Sequence, residues 1–198
     1  TPGTLLGYLG CLKAGEVPLL LDAHIAPELL RGLLETYRPA FVHVPGDLPA
    51  ETGRVLEGFV PVLEVEDSVL LRRPGGQGPE LHPELALLLT TSGSTGSPKL
   101  VRLSGRNLDA NTRSIVEYLE LDEGQRPVTN LAMSYSYGMS IVNTHLLAGA
   151  ALVLTRRSVL ERPSGSWWSG SGSPPWPGCP TPTACTGGRA CWRWSCLR

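Results

Sequence analysis

The chain has 198 residues, 41% of them apolar, with 17 basic against 18 acidic side chains. That apolar share is enough for a packed core in one or two domains, while the even charge balance excludes the electrostatic footprint of a nucleic-acid binder, and no basic amphipathic run suggests a membrane surface. The longest apolar runs, Val17 to Leu21 and Leu85 to Leu89, are too short to span a bilayer. The opening Thr1-Pro2-Gly3 carries neither an initiator Met nor the basic region of a signal peptide. The chain is therefore expected to be a piece of something longer, placed in the cytoplasm.

Periodicity sets out the elements in order. Leu5, Leu6, Leu9 and Leu12 recur at helical spacing and Gly15 sits where that helix would stop. Val17 to Leu21 reads as a buried strand. Pro27 opens a second helix with Leu29, Leu30, Leu33, Leu34 and Tyr37 on its apolar side, and Pro39 closes it before a strand at Phe41 to Val44. A strand at Val60 to Val65, a Pro/Gly loop around Arg73 to Pro79 and a strand at Leu85 to Thr90 follow. Leu100 to Leu103 predicts another strand, and Ser104 caps a helix running toward Leu119. Val128 to Ala132, a helix from about Gly138 to Leu147 and a strand at Ala151 to Leu154 complete the series. Alternating helices and strands predict an α/β fold of mostly parallel sheets flanked by helices.

Between two of these strands lies Thr91-Ser92-Gly93-Ser94-Thr95-Gly96-Ser97-Pro98-Lys99. A Gly/Ser linker is normally flanked by polar or Pro-rich sequence, whereas this stretch joins two apolar strands. Glycines let successive backbone N–H groups converge on an anion, the hydroxyls of Thr91, Ser92, Ser94 and Thr95 add donors, and Lys99 adds a compact positive charge. A polyphosphate is the natural guest. The order is not that of a Walker A loop, because Pro98 precedes the Lys and Leu100 follows it.

These nine positions resemble the signature of the adenylate-forming, AMP-binding superfamily, which includes acyl-CoA synthetases and the adenylation domains of peptide synthetases. Two further segments are similar to that family in the right order: Leu12-Lys13-Ala14-Gly15 with Pro18-Leu19-Leu20-Leu21-Asp22, and Met133-Ser134-Tyr135-Ser136-Tyr137-Gly138. The resemblance implies that residues 1–162 are part of a large ATP-binding domain. It implies attack of a carboxylic acid on the α-phosphorus of ATP, loss of pyrophosphate, and capture of the acyl adenylate by a thiol of coenzyme A or a carrier protein. Thr91, Ser92, Gly93, Ser94, Thr95 and Gly96 would then cradle phosphate, Lys99 would neutralise charge in catalysis, and Tyr135, Tyr137 and Gly138 would face the substrate at a strand end. ATP and Mg²⁺ are the implied cofactors.

Departures and competing readings accompany these assignments. Leu100, Gly105 and Ala132 stand where many members have Gly, His and Pro. The Tyr-Gly-x-Thr-Glu motif, whose Glu would help hold Mg²⁺, the later Thr-Gly-Asp and the small domain with its Lys are not in the chain, so alone it is expected to be inactive, and a truncated parallel sheet with exposed apolar faces and an unpaired edge is expected to make it prone to aggregate. The alternative is a non-catalytic nucleotide-binding or interaction remnant. Tyr135 and Tyr137 could instead share one packed face of a strand end. His145 reads as a structural histidine, and His24, His43 and His82 form no cluster. Asp22 and Asn107 read as a turn residue and a helix-start residue.

Composition breaks near residue 162. All five Trp and four of the five Cys lie beyond it, amid Gly, Ser and Pro, so residues 163–198 read as a separate, non-native low-complexity tail. Cys179, Cys185, Cys191 and Cys196 lack the C-x-x-C pairs of a zinc site. A frameshifted reading of ordinary family sequence is expected to account for the tail, the alternative being a true low-complexity segment: Trp and Cys codons begin with TG, and a frame starting one base earlier reads NTG, which encodes only Leu, Met or Val. Trp167 into Trp168 then reads Val, Trp176 into Pro177 reads Ala, and Cys191 into Trp192 reads Leu, restoring the apolar content of buried elements. Sequencing the encoding DNA checks this. The alternate frame beyond codon 162 is expected to stay open and reach Val-Pro and then Tyr-Gly-x-Thr-Glu, and early stop codons there would end the idea.

Overall fold

The computed structural model describes residues 1–76, 78–90 and 99–155. Helix α1 (Pro2–Ala14) begins where Pro2 presets a helical φ and the Thr1 hydroxyl accepts the Thr4 N–H at 3.3 Å. It stops at Gly15, whose φ of 74° is left-handed. Leu9 and Leu12 of the expected face pack against the core, joined by Tyr8 at 3% exposure, while Leu6 departs from it at 48% exposure. Strand β1 (Leu19–Leu20) follows, shorter than the predicted run because only these two residues pair with a neighbour.

Helix α2 (Pro27–Tyr37) buries Leu30, Leu33 and Leu34 and ends at Arg38, which takes a left-handed φ of 41° ahead of Pro39. Strand β2 (Phe41–Pro45), a short helix α3 (Ala50–Val55) and strand β3 (Val60–Val65) come next. A two-residue turn at Glu66-Asp67 returns the chain as β4 (Ser68–Arg72), which pairs antiparallel with both β2 and β3. Neither α3 nor β4 is evident in the sequence. The turn carries no glycine, and Glu66 itself adopts a φ of 52°, so the usual hairpin signal is missing.

Strand β5 (Leu85–Thr90) lies between β1, to which it is parallel, and β6 (Leu100–Ser104), to which it is antiparallel. Ser104 starts α4 (Gly105–Tyr118) with a capping box: its hydroxyl accepts the Asn107 N–H at 3.2 Å and its own N–H reaches the Asn107 side-chain oxygen at 3.1 Å. Strand β7 (Val128–Thr129), helix α5 (Ser136–Leu147) and strand β8 (Val153–Leu154) form a parallel crossover unit. The α/β class is as expected, but the mostly parallel pairing is not. Among the described residues β1·β5 and β7·β8 are parallel, while β5·β6, β2·β4 and β3·β4 are antiparallel. The turn at 66–67 imposes the β3·β4 pair and the short span between Thr90 and Leu100 the β5·β6 pair, because a parallel neighbour requires a longer crossover.

Two apolar clusters organise these elements. One holds Tyr8, Leu87, Leu89 and Met139, with Leu20 and Met133 packed against it, and so joins α1, β5 and the start of α5. The other holds Leu30, Leu34 and Leu56 with Val42, Val44, Phe59 and Leu71. Arg73 closes this second cluster: its guanidinium donates to the Leu34 carbonyl at 3.0 Å and the Pro39 carbonyl at 3.2 Å, and lies 4.9 Å from the centre of the Phe59 ring. Among the described residues no helix is long and apolar enough to cross a membrane.

Leu87 is fully buried. Leu87→Ala is expected to cost about 2–5 kcal/mol, the usual range for emptying such a site, measured as a lowered urea midpoint at unchanged m-value.

Candidate functional site

The expected phosphate cradle, Thr91 through Gly96, lies outside the described residues. Its two anchors do not. Thr90, the last residue of β5, pairs with Leu100, the first of β6, so the intervening stretch leaves and rejoins one antiparallel ladder at facing positions. Hairpin connections commonly use two to five residues, and residues 91–99 exceed what the reversal itself demands. Leu89, 5% exposed in the first core cluster, fixes the departing strand two residues before Thr91. Lys99 is exposed and directly precedes β6, at the mouth of the stretch.

The second expected segment is built differently from its prediction. Strand β7 stops at Thr129, and residues 131–135 turn into α5, so Tyr135 is the N-cap of a helix rather than the end of a strand. Tyr137 lies in the first helical turn. The two rings are 58% and 54% exposed, which removes the alternative of a shared packed face. Gly138, by contrast, is buried. An ideal Cβ there would collide with the Ala132 carbonyl oxygen and lie 2.9 Å from that of Leu131, so the first turn of α5 rests directly on the preceding backbone. Ala132 O also accepts the Tyr135 N–H at 3.1 Å, tightening the same turn. Met133 and Met139 flank this turn and pack into the cluster that holds Leu89. The tyrosines are thereby presented from a backbone fastened against β5.

Two features of this region escaped sequence reasoning. Ser134 is buried and its hydroxyl has no hydrogen-bond partner among the described residues. Tyr8 donates its hydroxyl proton to the Asn143 side-chain oxygen at 3.1 Å and so ties α1 to α5. Tyr8 falls at i+3 from Leu5 and i−4 from Leu12, a spacing that would have placed it on the core face. Burial raises its phenol above the ordinary value, and the Asn143 contact opposes that shift.

The histidines serve structure. His145 is 2% exposed; its Nδ1 lies 2.9 Å from the Ile141 carbonyl, and burial pushes its pKa down, leaving it a neutral donor within α5. His24 is exposed beside Asp22 at 3.3 Å, and Asp22 accepts the His24 N–H at 2.8 Å, the turn role expected of it. His82 accepts the Glu84 N–H at 3.2 Å, and His43 meets Ser68 across the β2–β4 ladder at 2.8 Å. Among the described residues no group of three His, Cys, Asp or Glu side chains could hold a metal ion.

Comparison with known proteins gives a consistent picture. A family model described as AMP-binding enzyme matches residues 1–170. Bacitracin synthase 3 of Bacillus licheniformis is 27% identical over 162 residues, which cover 79% of this chain and 2% of that protein. D-alanine–D-alanyl carrier protein ligase of Streptococcus equi subsp. equi (strain 4047) is 25% identical over 179 residues, 83% of this chain and 35% of the ligase. This chain thus spans about a third of the ligase and a small fraction of the synthase. Its fold is similar to that of a malonyl-CoA ligase in a ternary product complex with methylmalonyl-CoA and AMP, with a TM-score of 0.65 at 22% identity over 87% of this chain and 36% of that one. It is similar also to O-succinylbenzoate coenzyme A synthetase from Bacillus subtilis in complex with AMP, with a TM-score of 0.60 at 20% identity over 85% of this chain and 43% of the other. At these identities the structural likeness is one of fold.

Gly138→Ala tests the tightness of the turn beneath the tyrosines. Overpacking of this kind costs about 1–3 kcal/mol, expected as a lowered midpoint in urea denaturation together with altered tyrosine near-UV circular dichroism. An unchanged midpoint would mean that the 131–132 backbone moves aside freely.

Proposed function

This chain belongs to the AMP-binding enzyme family, and on that premise we propose that it supplies part of the ATP-handling body of a ligase that activates a carboxylic acid as its acyl adenylate. Capture of the adenylate by a thiol, of coenzyme A or of a carrier protein, completes the proposed reaction. The observation that carries this reading is the Thr91-to-Lys99 stretch held between the paired residues Thr90 and Leu100.

The proposed chemistry follows from where charge develops. As the carboxylate attacks the α-phosphorus, the bond to the β-phosphate breaks and negative charge grows on the leaving pyrophosphate. Donors held beside the β- and γ-phosphates stabilise that charge without reorganising. Backbone N–H groups and hydroxyls from Thr91 to Gly96 are assigned to this task, and Lys99 adds a positive charge at the entrance of β6. Glycines suit a segment that must admit ATP and release pyrophosphate. The exposed Tyr135 and Tyr137, set on a backbone packed against β5, are assigned to the acyl and adenylate side, and Gly138 to the close packing that positions them. Mg²⁺ finds no cluster of carboxylates among the described residues, so no residue of this chain is assigned to it.

Residues 1–162 are proposed as the part of the chain that belongs to this body, and residues 163–198 as foreign to it. The chain by itself is proposed to form no adenylate.

The test is ATP–pyrophosphate exchange in a complete synthetase that carries this body. Lys99→Ala removes one charge-assisted contact, a loss of roughly 1.5 to 3 kcal/mol, which slows exchange about 10- to 100-fold. Exchange at the parent rate would remove Lys99 from the mechanism. ATP binding with no exchange in the parent would favour a nucleotide-binding module over an enzyme.

A further inference from the structure

We propose that the contact between α1 and the β2–β4–β3 sheet is a proton-sensitive seam, latched by His43 between Ser68 and Gly7. The alternation of β2 sends Val42 and Val44 into the second core cluster and His43 to the opposite face, where α1 lies. There His43 Nε2 is 2.8 Å from the Ser68 hydroxyl, and that hydroxyl is also 2.7 Å from the Val65 carbonyl. A serine has one proton to give. The carbonyl can only accept, so Ser68 donates to Val65 and the imidazole donates from Nε2 to Ser68.

Nε2 therefore carries a proton, so in the neutral ring Nδ1 is the bare nitrogen, and Nδ1 faces Gly7. An ideal Cβ on Gly7 would lie 2.5 Å from Nδ1 and 2.7 Å from Cε1. One turn earlier, a Cβ on Gly3 would strike the Ser68 hydroxyl and lie 2.7 Å from the Val65 carbonyl oxygen. Two glycines thus let the helix backbone lie directly on the ring and the hydroxyl. A second proton would enter at Nδ1, against the middle of a helix whose carbonyls are engaged along its own axis.

The charged and titratable groups around this seam are few. Asp67, in the β3–β4 turn, accepts the Gly3 N–H at 3.1 Å. Glu66 shares the turn, Arg72 shares the His43 face of β4 at its far end opposite Phe41, and Glu64 pairs with Val69 on the other face. On α1 the groups are Tyr8, Cys11 and Lys13. Of these, Asp67 acts on the ring: burial lowers the His43 pKa below its usual value, and the Asp67 field partly offsets the shift. The folded state therefore favours neutral His43. Docking is fully stabilised above the ordinary histidine pKa near 6.5 and weakens as pH falls below it toward the depressed folded value. Because Tyr8 of α1 also holds Asn143 of α5, loosening of α1 reaches the helix that presents Tyr135 and Tyr137.

Amide hydrogen exchange by mass spectrometry tests the seam on the whole 198-residue chain at low-micromolar concentration, from pH 7.5 to 5 and corrected for intrinsic exchange. Peptides covering residues 2–14 are expected to open more readily by up to about tenfold per pH unit below 6.5, while those covering 105–118 hold constant. In His43→Gln, whose amide can still donate to Ser68 but does not titrate, the pH dependence of residues 2–14 is expected to flatten. The inference is overturned if α1 protection is flat with pH in the parent, if His43→Gln keeps the parent slope, or if α4 loosens in step with α1. Should His43→Gln fail to fold, NMR titration of the parent decides: an imidazole titrating at or above 6.5 refutes the latch, and one titrating below it supports the latch.

Discussion

Everything positioned in this molecule depends on the burial of β5. It is paired on both edges, parallel to β1 and antiparallel to β6, and Leu87 and Leu89 project from it into a cluster closed by Tyr8 of α1 and Met139 of α5. A strand satisfied on both edges and sealed by apolar contacts cannot shift register without turning its side chains to the wrong face. The ends of such a strand are the fixed points from which a loop can be hung. Thr90 and Leu100 mark one such point, and the turn into α5 is fastened beside it by Met133 and Met139. The chemistry proposed for the chain therefore sits on its least adjustable strand.

Much of this was legible in the sequence because local signals and tertiary needs agree. Gly15 as a helix stop, Pro27 as a helix start and Ser104 as a helix cap each satisfy a backbone requirement within a few residues, and each is found as expected. Strand β4 was hidden for the converse reason. Glu66 accepts a left-handed backbone that sequence rules assign to Gly or Asn, so only the pairing of β4 with β2 and β3 reveals the hairpin. The sense of strand pairing was misjudged because alternation of helices and strands says nothing about reversals made within a few residues.

The candidate site divides in the same way. The stretch from Thr91 to Lys99 was singled out from residue order alone, since the chemistry proposed for it rests on consecutive positions. Tyr135 and Tyr137 were recognisable as a pair but not as exposed rings, because their orientation depends on the close approach of Gly138 to Ala132, a contact that period-2 alternation does not encode. Pairings between distant residues, such as Tyr8 with Asn143 or His43 with Ser68, left no trace in local pattern.

Arg73 carries a consequence for how the body responds to ionic strength. Its guanidinium is directed at two backbone carbonyls and an aromatic face, with the planar geometry that a lysine could not reproduce. Dissolved salt readily weakens exposed ion pairs such as Arg113 with Asp109, which contribute little in any case. Among the described residues Arg73 has no opposing ion in a salt bridge whose attraction could be screened in that way. The junction of α2 with its sheet is thus held by short-range polar geometry, and moderate salt leaves it in place.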